Sequence, residues 1–249
     1  MEYTDTELMV TAAANRLRDG DSVLVGIGVP NLACNLAKRT HAPDLTMVYE
    51  SGVIDANPSS LPLSIGDPVL VSGAMNLESL HGGFNYYLQA GRLDAGFLGG
   101  AQIDRHGNIN STVIGDYEDP DVRLPGSGGA CEIASNVERT LVVTPHDRRR
   151  FPEKVDFVTS PGYLDGDGER EELGLRGGPA AVITDMAVMG FEDGEMVVES
   201  LHPGVERSAV QEATGWELQF SDDLTTTPVP SDDTLQLIRE ELDPDGVYL

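Results

Sequence analysis

The sequence predicts an α/β protein with an open, mostly parallel sheet flanked by helices. Its first fifty residues predict, in turn, a helix capped by Thr4 or Asp5 and stopped at Gly20, the apolar strand SVLVGIG, a second helix with Pro30 in its first turn, and the strand LTMVYE. A strand, a helix and a second strand in this order require a right-handed crossover, which sets the strands parallel and covers the sheet with helices.

The 249 residues are predicted to form a single domain spanning 1–249, because no linker, repeat or low-complexity segment interrupts them. The middle of the chain is rich in glycine, and short helices are expected to break at Gly82 and Gly83. KVDFVTSPGY has a β pattern. Residues 164–178 combine acids and glycines without apolar periodicity, which predicts an exposed loop.

The charge balance excludes several partners. The chain has 42 acidic and 16 basic residues, for a formal net charge of −26, so it repels nucleic acid and anionic membranes. The acids are spread along the chain, which suits high salt and predicts a halophilic source. The N-terminus lacks the features of a signal peptide, and no apolar run approaches the ~20 residues that span a bilayer. We therefore expect a cytoplasmic protein.

Several common chemistries lack their motifs. VLVGIGVPN lies between a strand and a helix like a dinucleotide fingerprint, but GxGxxG would need glycine at Asn31. Neither Lys38 nor Lys154 lies in a glycine loop, and no GxSxG elbow occurs. The histidines show no metal-ligand spacing, and the two cysteines form no CxxC pair. We expect no metal site.

Three features remain as candidates for a site. Glu50 ends a predicted buried strand, where a carboxylate can act as a nucleophile or a base. Gly99 and Gly100 follow another strand, so the backbone there can approach a ligand closely. Residues 126–129 (GSGG) lead into a helix, where backbone N–H groups can bind an anion or a developing oxyanion. Each feature also has a plain alternative: a surface acid, a tight turn and a helix N-cap.

At these residues the chain resembles the beta subunit of a family I coenzyme A transferase, most of all the glutaconate CoA-transferase type. The resemblance runs through residues 20 to 205 in the family's order. It is carried by VGIGVPNLA, YESGVI, GFLGGAQIDRHGNINST, RLPGSGGA, VTSPGY and LHPGV.

The resemblance implies a covalent mechanism. Glu50 would attack an acyl-CoA thioester and later carry CoA as a glutamyl-CoA thioester, while Gly128 and Gly129 would bind the oxyanion through their N–H groups. Acyl-CoA and a carboxylic acid would be the substrates, with no separate cofactor. Further contacts to substrate or CoA are expected from Ser51, Gly52, Gly99, Gly100, Gln102, Asn110, Gly126 and Ser127.

The resemblance also implies a partner, because family members need two homologous halves and this chain has the length of one. We expect an alpha subunit on a separate chain and an (αβ)2 heterotetramer, with the isolated chain inactive. Two other functions stay open: an acyl-CoA thioester or ring-opening hydrolase on the same fold, and a non-catalytic, ligand-binding regulatory subunit. The identity of the acid is not set by these motifs.

Overall fold

The computed structural model describes residues 1–58, 60–166 and 168–249. These residues divide into two compact units. The first unit contains residues 1–97 and 228–249, and the second contains residues 98–227. The single domain expected over residues 1–249 stays a prediction.

In the part of the first unit that the structure describes there are five short strands, three of which are parallel. They are β1 (Ser22–Leu24), β2 (Thr46–Val48), β3 (Val53–Ile54), β4 (Asn76–Leu77) and β5 (Ala95–Leu98). The spatial order is β5-β1-β2-β3-β4. β1 pairs in parallel with β2 and β5, whereas β3 is antiparallel to both β2 and β4. The predicted crossover from β1 to β2 is therefore present, and the strand after β2 returns as a hairpin.

Helices accompany these strands in the first unit. They are α1 (Asp5–Ala14), α2 (Val29–Arg39), α3 (Leu80–Gly82), which continues as a π-helical turn over Gly83–Leu88, a 3-10 turn over Pro68–Val71, and a C-terminal helix (Asp232–Leu237) continued by a π-helical turn over Ile238–Leu242.

The first helix begins at Thr4, one of the two predicted caps, but it ends at Ala14 and not at the predicted Gly20. Thr4 Oγ1 accepts a hydrogen bond from the N–H of Glu7, whose carboxylate accepts one from the N–H of Thr4. The same carboxylate binds Arg239 of the C-terminal π-helical turn through two nitrogens, at 2.5 and 2.8 Å. Because Glu7 is buried, this paired charge ties the two ends of the chain together within the first unit.

The predicted helix break at Gly82 and Gly83 is wrong. Both residues have helical φ angles of −63° and −56°, and the chain passes through them without leaving the helix. A Cβ on Gly82 would lie 2.8 Å from Glu78 Oε2, whereas one on Gly83 would lie 3.9 Å from Gly52 Cα, an ordinary contact distance. These glycines therefore do not end the helix, since both adopt its backbone conformation.

The described residues of the second unit form nine strands and three short helices. They are β6 (Gln102–Ile103), β7 (Ile109–Asn110), β8 (Val113–Gly115), β9 (Pro120–Arg123), α4 (Ala130–Asn136), β10 (Arg139–Val143), α5 (Glu169–Glu172), β11 (Gly178–Ile183), β12 (Ala187–Glu192), β13 (Glu195–Leu201), α6 (Arg207–Glu212) and β14 (Gln219–Thr226). Parallel pairing joins β10 to β11 and β13 to β14, whereas β11, β12 and β13 are antiparallel. Two hairpins, β6–β7 and β8–β9, form separate small sheets.

One sequence expectation in this unit is wrong, and a second holds only in part. The β pattern of residues 154–163 forms no strand there, because the segment pairs with β7 only through one bridge between Ile109 and Ser160, after which Pro161 removes the next donor. The predicted exposed loop at 164–178 contains α5 and the buried Arg170; its residue 167 lies outside the described residues.

Within the described ranges, none of the helices has both the length and the apolar character that crossing a membrane requires.

His146 is a buried histidine of the second unit. Its ring stacks on Phe151 with centroids 4.1 Å apart, and its two ring nitrogens contact the hydroxyls of Thr184 at 3.2 Å and Thr214 at 3.0 Å. Burial lowers the pKa of His146 to about 4, against the opposing attraction of Asp185 and Asp147. The neutral ring is therefore the form that the fold accepts.

This pKa predicts acid-dependent stability. The unfolded chain binds a proton at His146 near pH 6.5, so the contribution of the neutral ring is fully present above that pH and is lost as the pH falls toward 4. We expect the free energy of unfolding to fall by about 3 kcal/mol more in the wild type than in His146→Gln across this range. Urea unfolding at pH 7.5, 5.5 and 4.5 measures it. Equal pH slopes in the two proteins would contradict the assignment, and His41→Asn, at an exposed position, serves as the control.

Candidate active site

Glu50 lies at the tip of the hairpin between β2 and β3. The N–H of Tyr49 donates to the carbonyl of Val53, and the N–H of Gly52 donates back to the carbonyl of Tyr49, both at 2.9 Å. These two bonds enclose a three-residue loop of Glu50, Ser51 and Gly52 with the left-handed residue last, as hairpins of this length require. The turn expected at Ser51–Gly52 is present.

Gly52 cannot be replaced without moving the backbone around it. Its φ is +92°, and a Cβ there would lie 2.1 Å from the carbonyl oxygen of Glu78. The N–H of Glu78 also donates to the carbonyl of Gly52 at 2.8 Å. The residues leading into α3 therefore press directly against the turn that carries Glu50.

The Glu50 carboxylate is half-buried, and burial raises its pKa. Among the described residues, no side chain or N–H group forms a hydrogen bond or ion pair with it. Desolvation, not a neighbouring charge, is thus the cause of the shift. A carboxylate of raised pKa is more basic, and hence more nucleophilic, than a solvated one once it is ionised.

Two residues of α2 contact residues next to the Glu50 turn. Asn31 Nδ2 donates to the hydroxyl of Tyr49 at 2.7 Å, and Lys38 Nζ forms an ion pair with Asp55, the residue after β3. The sequence marks Asn31 only as the absent glycine of a nucleotide motif and gives Lys38 no role. No local signal reveals these contacts, because each partner lies 17 or 18 residues away in the chain.

The glycine loop at 126–129 belongs to the second unit and leads into α4. Gly126 is held on both sides by Ser111, whose carbonyl accepts from the Gly126 N–H at 2.8 Å and whose hydroxyl donates to the Gly126 carbonyl at 2.9 Å. Ser127 Oγ accepts from the N–H of Cys131 at 3.1 Å, so Ser127 fastens the first turn of α4.

The next two glycines of this loop are open. Gly128 has a φ of +51°, and no described residue apart from its chain neighbours has an atom within 4 Å of the place where a Cβ would lie. Gly129 is the N-cap of α4. In the described part of the chain, neither N–H donates a hydrogen bond. Both donors are therefore available to an anion or an oxyanion.

Gly99, Gly100, Gln102 and Asn110 surround the β6–β7 hairpin of the same unit. Gly99 is exposed. A Cβ on Gly100 would lie 2.3 Å from Ile109 Cγ2, so this glycine is required for packing. Gln102 and Asn110 are buried, and the Asn110 amide donates to Gln102 Oε1 at 2.7 Å.

These two amides are occupied inside the unit. Asn110 Nδ2 also donates to the carbonyl of Val113, while its Oδ1 accepts from the N–H groups of Thr112 and Val113. Gln102 bonds to Asp156 through both its nitrogen and its oxygen. The substrate contacts expected of Gln102 and Asn110 stay predictions, and the contacts present hold the hairpin in shape.

Arg170 anchors the region behind the glycine loop. Its guanidinium donates to the carbonyls of Gly177 at 2.8 Å, Pro161 and Gly162 at 2.9 Å, Ala134 at 2.6 Å, and Arg176. The side chain is 1% exposed, and burial lowers its pKa. Because Ala134 belongs to α4, this one side chain fixes the helix that follows the open glycines.

The structure thus groups the expected site residues within each unit. Glu50, Ser51 and Gly52 share one turn in the first unit. In the second unit, Gly100, Gln102 and Asn110 share one hairpin, and Ser111, next to Asn110, holds Gly126 of the glycine loop. The residues that sequence reasoning missed are Asn31, Lys38 and Arg170. The catalytic and binding roles themselves stay predictions.

Comparison with known proteins identifies the class. The family model for coenzyme A transferase matches residues 6–213. The B subunit of 3-oxoadipate CoA-transferase from Pseudomonas knackmussii is 48% identical over 240 residues, covering 95% of this chain and 92% of the relative. The B subunit of glutaconate CoA-transferase from Acidaminococcus fermentans is 40% identical, covering 99% of this chain and 95% of the relative.

Solved structures agree with this result. The crystal structure of glutaconate CoA-transferase from Acidaminococcus fermentans superposes with a TM-score of 0.93 at 36% identity, covering 99% of this chain and 97% of that one. A more distant relative is the cholesterol ring-cleaving hydrolase IpdB subunit of Rhodococcus jostii, 28% identical over 98% of this chain and 94% of the relative. The chain belongs to the coenzyme A transferase family. The predicted family I beta-subunit resemblance and the open, mostly parallel α/β fold are confirmed.

The anchoring role of Arg170 predicts the effect of a charge-conserving change. Arg170→Lys keeps the charge but removes the planar fork, so several of the carbonyls would be left without a donor. We expect the free energy of unfolding to fall by about 3 kcal/mol, measured by urea denaturation. Arg149→Lys, at a side chain that is 95% exposed, is the matched control and should change stability by less than about 0.5 kcal/mol. Equal stability of the two variants would refute the anchor.

Proposed function

We propose that this chain is the beta subunit of a heteromeric CoA-transferase that moves CoA between an acyl-CoA thioester and a carboxylic acid, with Glu50 as the nucleophile. The observation that carries the proposal is the half-buried Glu50 carboxylate, which has a raised pKa, no partner among the described residues, and a place at the tip of a tightly held turn. Membership of the coenzyme A transferase family supplies the reaction class.

The chemistry follows from a carboxylate nucleophile. Glu50 attacks the thioester carbonyl and expels CoA thiolate, which leaves an acyl-glutamyl anhydride. The thiolate then attacks the glutamyl carbonyl of the anhydride, releasing the acyl group as a free carboxylate and forming a glutamyl-CoA thioester. The acceptor carboxylate reverses these two steps and departs as the new acyl-CoA. Each step breaks one acyl bond and forms another, so no separate cofactor is needed.

The open glycine loop supports a role in this chemistry. The free N–H groups of Gly128 and Gly129 are proposed to donate to the oxyanion that develops when the thioester is attacked. Losing one such donor typically costs ~3 kcal/mol of transition-state stabilisation. Ser51, Gly52, Gly99, Gly126 and Ser127 are proposed to shape the surroundings of substrate and CoA by turn geometry.

An alpha subunit is the proposed partner, in an (αβ)2 assembly. The stretch from residue 63 to residue 86 supports a covered surface, because it holds two acidic residues and neither Lys nor Arg in a chain with 42 acids. Depletion of charge around exposed apolar side chains is typical of the core of an interface. The exposed apolar residues of this stretch are Leu63, Val71, Met75, Leu77, Leu80 and Tyr86.

The location that we propose is the cytoplasm of a salt-rich cell. The evenly spread charge of −26 supports it, because self-repulsion of such a surface weakens when salt screens it.

Hydrolysis is the competing activity, and it is supported by the similarity to a relative that is named as a ring-cleaving hydrolase subunit. If water reached the acyl-enzyme, the same nucleophile would release CoA without transferring it. The two activities are told apart by whether CoA appears on an acceptor acid or is only lost. The regulatory alternative gains no support, since the relatives reported above are all named as subunits of enzymes.

Covalent labelling tests the nucleophile. The purified heteromer is incubated with acetyl-CoA, glutaconyl-CoA or 3-oxoadipyl-CoA without acceptor, treated with sodium borohydride, and mapped by peptide mass spectrometry. We expect reduction of the thioester to leave the Glu50 side chain as an alcohol. An active enzyme with unmodified Glu50 would sink the assignment.

Variants of Glu50 sharpen that test. Glu50→Gln removes the nucleophile and should abolish labelling, and Glu50→Asp withdraws the carboxylate and should lower turnover by at least about 100-fold. Glu78→Gln, an exposed acid beside the same turn, should retain activity. Near-normal turnover of Glu50→Asp would count against the mechanism.

The charge-depleted stretch predicts which changes disrupt assembly. Leu77→Glu places a charge on the edge strand β4, where the side chain is 58% exposed, and should reduce about tenfold the amount of alpha subunit that co-purifies with this chain. Val229→Glu introduces the same change at a 52% exposed position outside the stretch and should assemble normally. Size-exclusion chromatography of the co-expressed pair measures both. Full assembly of Leu77→Glu would exclude this stretch from the interface.

A further inference from the structure

We propose that Asn31 and Lys38, both on α2, are positioning residues that hold the Glu50 turn from its two sides. This inference rests on the proposed role of Glu50 as the nucleophile. No group in the described ranges binds the Glu50 carboxylate itself, so its place is set by the backbone of the turn. Whatever fixes that backbone therefore fixes the direction of attack.

Asn31 holds the side that enters the turn. Asn31 is fully buried and Tyr49 is 1% exposed, and the Asn31 amide donates to the Tyr49 hydroxyl at 2.7 Å. A buried hydroxyl needs such a partner. Tyr49 directly precedes Glu50, and its own N–H and carbonyl close the turn. The tyrosine is thus fixed at the tip of its ring and at its backbone.

Asn35, one helical turn further along α2, holds the Asn31 side chain in place. Asn35 Nδ2 lies 2.9 Å from the carbonyl of Asn31 and 3.1 Å from its Oδ1. The Asn31 amide oxygen accepts from Asn35, which leaves its nitrogen to face Tyr49. The orientation of the amide is therefore set within α2 and does not depend on the hairpin.

Lys38 holds the side that leaves the turn. Asp55 follows β3 with a φ of +53°, a conformation that disfavours a residue with a side chain. Its N–H donates to the carbonyl of Met47 at 2.6 Å, and its carboxylate forms the ion pair with Lys38. The side chains of Lys38 and Asp55 are 29% and 16% exposed, so solvent only partly screens the pair.

The single helix α2 therefore contacts the hairpin on both sides of Glu50, at Tyr49 and at Asp55. Asn31 and Lys38 are seven residues apart, or about two helical turns, which places them on one face of α2. Their partners, Tyr49 and Asp55, lie on either side of Glu50 in the chain. A shift of the carboxylate by even about 1 Å can lower the rate 100-fold. Loss of the Asn31–Tyr49 or the Lys38–Asp55 contact should therefore slow the chemical step without weakening substrate binding.

The experiment measures the rate of borohydride-trapped labelling of Glu50 at several acyl-CoA concentrations, in the assembled heteromer. Tyr49→Phe removes only the hydroxyl and Asn31→Ala removes its partner, so each should lower the maximal labelling rate about tenfold while the half-saturating concentration changes less than about twofold. The double variant should be no slower than the worse single variant, because both changes break one contact.

Matched controls separate positioning from general loss of stability. Lys38→Met should slow labelling as Tyr49→Phe and Asn31→Ala do. Lys154→Met, at the other lysine of the chain, should not slow it. Val10→Ala, a buried change in α1, should lower the melting temperature without changing the labelling rate of the folded enzyme. Slower labelling of Val10→Ala would show that loss of stability alone lowers the labelling rate, and it would overturn the positioning role of Asn31 and Lys38.

The outcomes distinguish the two proposals. Labelling of wild-type Glu50 with unchanged rates in Tyr49→Phe, Asn31→Ala and Lys38→Met would overturn the positioning role and leave the nucleophile standing. A wild-type enzyme that is active but labelled at another residue would overturn both.

Discussion

The hydrogen bond from the N–H of Gly52 to the carbonyl of Tyr49 closes a turn of three residues. The pairing of β2 with β3 and the position of the residues before α3 both depend on that turn. The left-handed conformation of Gly52 lets the chain reverse, and the absent side chain lets the backbone at Glu78 approach it. With a larger residue there, β3 could not return beside β2 in the same register and the residues before α3 would be displaced. The carboxylate of Glu50 is presented by the backbone alone.

Glycines in this chain serve two opposite purposes. Gly52 and Gly100 have atoms of other segments within 3 Å of the place where a side chain would begin, so they allow these segments to approach closely. Among the described residues, Gly126 and Gly128 have none within 4 Å, and the N–H of Gly128 donates no hydrogen bond there. A glycine motif in the sequence does not reveal which purpose it serves, because the difference lies in what the rest of the chain packs against it.

Much of the fold of the first unit could be predicted from local sequence patterns. The cap at Thr4, the start of α2 around Pro30 and the crossover between β1 and β2 follow from neighbouring residues and were predicted. Glu50 and the open glycines were found because strand ends and helix starts are visible in the sequence. The β pattern of 154–163 predicted a strand that does not form, because the segment makes a single β-bridge, from Ser160 to Ile109, some fifty residues away. The contacts of Asn31, Lys38 and Arg170 depend likewise on partners distant in the chain, which composition and periodicity do not encode.

The guanidinium of Arg170 is surrounded by carbonyl oxygens in place of carboxylates, much as a cation is held in a cage of neutral ligands. Most acids of the chain lie where dissolved ions reach them, so their mutual repulsion and their ion pairs vary with ionic strength. The hydrogen bonds of this buried cation go to backbone carbonyls, which carry no titratable proton and bind no counterion. The helix behind the glycine loop is therefore fastened by a contact that should keep the same strength in fresh water and in brine.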